Sequence, residues 1–186
     1  MKLIYKVPKT NHYQNVKEVL KAEFQMSDRL LLKLKKLQKI YLNQNIVYVH
    51  HAILPGDMIT CDLDDEEDNS IIVPINMPLS ILYEDEAYLI INKPAGIPVH
   101  PSMEHYTDSL SNGIRAYFDQ ISLRKKIRPV NRLDKDTSGI VVFAKNEYVQ
   151  EALVRQMQNH LFQKEYIAII SGKLEKSKRN YFFANC

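Results

Sequence analysis

The sequence predicts an α+β fold: a small mixed unit first, then a mixed or antiparallel sheet with helices. Three observations carry that reading. Short alternating apolar runs such as KLIYK and YLIIN recur with turn residues between them, as half-buried strands require. Segments with apolar residues three and four apart, such as SDRLLLKLKKL, interrupt these runs. A dense acidic run, Asp62 to Asp68, separates the two sets. Like charges at that density repel one another and favour a solvated linker.

In order, KLIYKV reads as a strand, and QNVKEVLKAEF spaces Val16, Val19, Leu20 and Phe24 at helical intervals. MSDRLLLKLKKLQK predicts a second helix, capped by Ser27 or Asp28, with Leu30, Leu31, Leu34 and Leu37 as its apolar stripe. NIVYVHH and DMITCDL read as strands joined through LPGD, where Pro55 and Gly56 make a turn. Residues 1–63 thus form one unit and residues 64–78 an acidic, extended linker. The second unit, 79–186, opens with a hairpin turning at Glu84-Asp85-Glu86. NKPAGIPVHPS is irregular, because its prolines forbid regular ladders. TDSLSNGIRAYFDQI predicts a helix capped by Thr107 or Asp108, followed by a basic loop, LRKKIR. A strand near 127–131, a polar octet, and a strand over 140–144 come next. NEYVQEALVRQMQNHLF predicts a helix capped by Asn146 with Val149, Ala152, Leu153 and Met157 inward. QKEYIAIISGK alternates as a strand ending at Gly172, and Tyr181, Phe182 and Phe183 suggest a last one.

The chain has 186 residues, 45% hydrophobic and 25% charged, which suits a folded protein with a proper core. A net charge of +3 does not by itself announce a nucleic-acid partner. Its two cysteines, Cys61 and Cys186, form no C-x-x-C, so we expect a reduced, cytoplasmic protein without disulfides or a cysteine zinc site. No leader-like segment opens the chain, and no apolar run approaches the roughly 20 residues of a membrane span.

The octet RLDKDTSG, 132–139, sets a guanidinium and two carboxylates at the lip of an apolar strand. It admits three readings. Asp134, Asp136, Ser138 and Gly139 fall at positions 1, 3, 5 and 6 of a calcium loop, but the twelfth position is Lys145, which cannot ligate. A polar turn with Gly139 at positive φ is the plain structural reading, and it leaves Arg132 unexplained. An active site is the third.

NRLDKDTSGIVVFAKN resembles the signature of RluA-type pseudouridine synthases, His-Arg-Leu-Asp-x-x-Thr-Ser-Gly before an apolar strand. INKPAGIPVHPS upstream and KEYIAIISG downstream are similar to two further stretches of that family, in the family's order. Residues 1–63 resemble an S4-type RNA-binding domain. The resemblance implies isomerisation of uridine in RNA on a base taken out of its stack. It implies Asp134 as catalytic carboxylate, Arg132 as the residue that helps expose the base, and Tyr166 as the stacking partner of the uracil. It gives Arg29, Lys33 and Lys36 of the basic helix, with Lys93 and Lys164, to the RNA backbone. No metal or organic cofactor is implied, because the reaction is an internal rearrangement. The implied partner is RNA, large-subunit rRNA first and tRNA second, acted on by a monomer. The chain departs from the pattern twice. Asn131 stands where the family usually has His, and no segment resembling Arg-Thr-His-Gln-Ile-Arg follows. We therefore expect an incomplete catalytic domain. The rival expectation is an RNA-binding remnant that has kept the scaffold without the chemistry.

Overall fold

The protein is described from a computed structural model covering residues 1–103 and 105–172. Its backbone forms two four-stranded antiparallel sheets. The first is built from β1 (Lys2–Lys6), β2 (Ile40–Leu42), β3 (Asn45–Ile46) and β4 (Met58–Asp62) in the order β1-β4-β2-β3. Helices α1 (Val16–Ala22) and α2 (Asp28–Lys36) pack on it. Ser27 caps α2, its hydroxyl accepting from the Leu30 N–H at 3.1 Å. Leu30, Leu31 and Leu34 are buried with Val16, Val19 and Leu20, while Leu37 at the end of the expected stripe is exposed.

The second sheet runs β5-β6-β8-β7, from β5 (Ile81–Glu84), β6 (Tyr88–Lys93), β7 (Arg128–Pro129) and β8 (Gly139–Ala144). The expected hairpin forms, and the Asp85 carboxylate closes its turn by accepting from the N–H groups of Ala87 and Tyr88. Helix α3 (Leu110–Gln120) covers one face, meeting Leu89, Ile91, Val141 and Phe143. Helix α4 (Glu147–Gln158), capped by Asn146, covers the other through Val142, Ala144 and Val149. The period-2 alternation of β8 thus serves two helices.

Four expectations need correcting. The strand expected over 45–51 is only β3, paired with β2, which the sequence reading missed; Asn43 and Gln44, both at positive φ (49° and 72°), make the tight turn between them. The cap of α3 is Ser109, whose backbone N–H donates to the Asn112 Oδ1 at 3.0 Å, rather than Thr107 or Asp108. Residues 163–172 form no strand, and Ile167 and Ile169 stand fully exposed at 99% and 101%. Alternation specifies a strand only where an edge receives it, and neither edge strand of this sheet pairs with that segment. The strand suggested by Tyr181 to Phe183 lies outside the described residues.

The fourth correction concerns the acidic run: Asp64, Glu66 and Asp68 are exposed, but Asp65 and Glu67 are largely covered and the run is extensively paired. Lys33 on α2 pairs with Asp65 at 2.8 Å and Glu67 at 3.0 Å, and Arg128 holds Glu67 through both terminal nitrogens at 2.5 and 2.6 Å. Lys125 pairs with Asp64 at 2.5 Å and Arg124 with Glu66 at 3.2 Å. The carboxylates find cations on both sides, so mutual repulsion is outweighed and the segment becomes a clamp between the sheets. Charge density in sequence could not reveal this, because the partners lie far off in the chain, Lys33 34 residues before Glu67 and Arg128 61 after it.

Candidate active site

The octet is the loop between β7 and β8. Leu133 is half-buried against the core, and Arg132 and Asp134 on either side of it are exposed, as an extended segment requires. A turn then closes, with the Thr137 N–H donating to the Asp134 carbonyl at 3.1 Å. Gly139 leaves the loop at φ +134°, a conformation that side chains other than glycine's strain to adopt. Among the described residues no cation pairs with Asp134 within 4.0 Å. Lys145, the twelfth position of a would-be calcium loop, pairs instead with Glu84 at 2.7 Å. Among the described residues no cluster of three or more His, Cys, Asp or Glu is placed to hold a metal ion.

Beneath this loop lies Lys93. It continues the inward face of β6 after Leu89 and Ile91 and is fully buried at 0% exposure. Its ammonium donates to the carbonyls of Pro94 and Ile97 at 2.8 Å and of Lys135 at 2.9 Å. The Gly96 N–H also donates to the Lys135 carbonyl at 2.9 Å. The Pro-rich stretch and the octet are therefore one fastened pair of loops. Burial pushes the Lys93 pKa down, and the carboxylates of Asp136 and Asp134 push it back up. Contact of Lys93 with phosphate, as expected from the sequence, would have to compete with these three carbonyls.

Tyr166 and Lys164 are exposed and line an open groove of about 660 Å³. Asp136, Thr137, Ser138 and Gly139 form the facing wall. The structure thus brings Tyr166 and Lys164 to the octet, while Asp134 and Arg132 sit on its exposed side, outside that lining. His100, given no role from sequence, is near enough to Arg132 to feel its charge. Burial chiefly, and that guanidinium secondly, push its pKa down. Its Nδ1 lies 3.1 Å from the Ser111 hydroxyl. The Pro-rich stretch around it was the available signal.

The basic helix is placed differently. Arg29 pairs with Glu147 at 3.0 Å, and Lys33 meets Asp65, Glu67 and, at 3.6 Å, Glu147. They line a cleft of about 690 Å³ between α2, the acidic clamp and α4. Lys36 stays exposed at its edge. Contact of Arg29 or Lys33 with RNA would compete with these carboxylates.

Residues 87–183 match the RNA pseudouridylate synthase family. The chain is 37% identical over 160 residues to the uncharacterized RNA pseudouridine synthase YhcT of Bacillus subtilis (strain 168), covering 86% of this chain and 53% of that protein. It is 38% identical over 120 residues to the ribosomal large subunit pseudouridine synthase D of Neisseria meningitidis serogroup B (strain ATCC BAA-335 / MC58), covering 64% of this chain and 32% of that one. The solved structure of human RNA pseudouridylate synthase domain containing 1 overlaps with a TM-score of 0.35 at 22% identity, over 50% of this chain and 31% of its own. The chain spans about half the length, or less, of the curated relatives it matches.

Proposed function

The chain belongs to the RNA pseudouridylate synthase family, and on that premise we propose that it isomerises uridine in RNA, with Asp134 as the reacting carboxylate. The N1–C1′ bond breaks, the uracil turns, C5 bonds to C1′, and the C5 hydrogen leaves as a proton while N1 gains one. No cofactor is consumed. The observation that carries this reading is the octet itself: Asp134 and Arg132 are exposed on a loop fastened from beneath, beside an open groove that carries Tyr166. A flipped base needs such an accessible carboxylate and a flat partner, and Tyr166 offers its ring for stacking. Arg132 suits phosphate or base contact through its planar guanidinium. Lys164 and Lys36 contact the backbone without reading sequence. Residues 1–63 act as an S4-like RNA-binding unit, with 64–78 as the connection and 79–186 as the catalytic part. The large-subunit enzyme among the relatives supports rRNA as the first substrate to test, with tRNA second, for a monomer in the cytoplasm.

The test is tritium release from rRNA labelled at uridine C5, with Asp134→Asn as control. We expect release from the wild type, at least a thousandfold less from Asp134→Asn, and RNA affinity within about twofold between them. A folded wild type that binds RNA yet releases nothing would favour the RNA-binding remnant.

A further inference from the structure

In an antiparallel ladder a residue turns its N–H and C=O to the same neighbour. Val142 on β8 turns both toward β7, and its carbonyl takes the Val130 N–H at 2.8 Å. An unbroken ladder would send the Val142 N–H to the Val130 carbonyl. It goes instead to the side chain of Asn131, whose Oδ1 accepts it at 2.9 Å. The same carboxamide donates from Nδ2 to the Ile140 carbonyl at 3.0 Å. The backbone therefore leaves β8 one residue before the octet, and a side chain completes the edge it abandons. Asn131 is 7% exposed, so water is a poor substitute for either bond.

We propose that Asn131 is a positioning residue: its carboxamide stands in for the missing rung of the β7–β8 ladder and fixes where the following loop presents Asp134. This rests on the reading of Asp134 as the reacting carboxylate. The chemistry selects the residue type. A carboxamide sets an acceptor and a donor side by side on one edge, as a peptide group does. The two nitrogens of an imidazole diverge, so one ring cannot meet both groups of the same strand edge. A carboxylate accepts from Val142 and repels the Ile140 carbonyl, whereas its neutral acid restores the donor. With Lys93 bonded to the Lys135 carbonyl further along, the loop is fastened at its root and beyond its middle, and Asp134 lies between the two points.

The experiment compares wild type with Asn131→Ala and Asn131→Asp by backbone amide hydrogen exchange and by tritium release. In Asn131→Ala the Val142 and Thr137 amides should exchange at least tenfold faster while β6 keeps its protection. Turnover should fall about 10- to 100-fold in kcat with KM within twofold. In Asn131→Asp both effects should depend on pH, with protection and turnover recovering toward wild type as the new carboxyl is protonated. Unchanged exchange in Asn131→Ala would overturn the proposal. So would faster exchange across the whole sheet, or an Asn131→Asp variant indifferent to pH. If the wild type releases no tritium, the reading of the reaction fails, and the exchange arm alone decides whether Asn131 orders the loop.

Discussion

At the residue scale, Glu67 shows how charge placement decides stability. Burial opposes its ionisation, but the hydrogen bonds and charges of Arg128 and Lys33 outweigh that and hold its pKa at about 2 against an ordinary 4.5. A depressed carboxyl contributes stability that is fully present above the unfolded value and is lost as pH falls through the folded one. Chemical denaturation of wild type and Glu67→Gln should therefore differ by a constant amount above about pH 5, up to about 3 kcal/mol, with the gap closing toward pH 2. A gap independent of pH would mean that Glu67 acts through packing alone. This residue also marks what the sequence could tell. Its acidity was plain, but its partners were not, since Arg128 stands 61 positions on. Lys93 is the opposite case. The alternation of Leu89, Ile91 and Lys93 already put its side chain on the inward face.

At the element scale, what the pattern could specify was local. Helices α1, α2, α3 and α4 and the β5–β6 hairpin follow from apolar spacing and turn residues, with ends displaced by a few positions. The β2–β3 hairpin escaped because its turn uses Asn43-Gln44 where Asn-Gly would announce it. Gln44 holds φ 72° without being glycine, so Gln44→Gly should raise stability by about 0.5–1 kcal/mol in urea denaturation. A loss of stability would show that the glutamine side chain, not the backbone, holds the turn. The segment 163–172 failed for a different reason: its alternation is real, but pairing is a property of two strands and only one was in view. The candidate site was legible to the same degree. The octet, Arg132, Asp134 and Tyr166 could be singled out, whereas the fastening by Asn131 and Lys93 needs backbone positions no pattern supplies.

At the scale of the whole molecule, the two sheets are joined by ion pairs and by apolar contacts, since Met1 and Tyr148 pack against cores on both sides. Lys33 meets Asp65, Glu67 and Glu147; Arg29 meets Glu147; and the Ser27 hydroxyl donates to Glu151 at 2.5 Å. Each sheet has an apolar core of its own, and with Met1 and Tyr148 the only side chains packed on cores of both among the described residues, the clamp carries much of the coupling between them. Lys33→Met leaves carboxylates without their shared cation. Calorimetry should then resolve two transitions where the wild type gives one, with the lower-melting transition shifted down by about 5 °C or more. One unsplit transition in the variant would place the coupling elsewhere. The clamp also has a history written into chain order. Lys33 is already made when Asp65 and Glu67 emerge, but Arg128 follows Glu67 by 61 residues, which takes about 3–12 s at ordinary synthesis rates. A nascent chain thus passes through a stage in which the first sheet is closed and the junction half assembled. Synonymous codons that slow translation between positions 67 and 128 lengthen that stage without altering a single side chain.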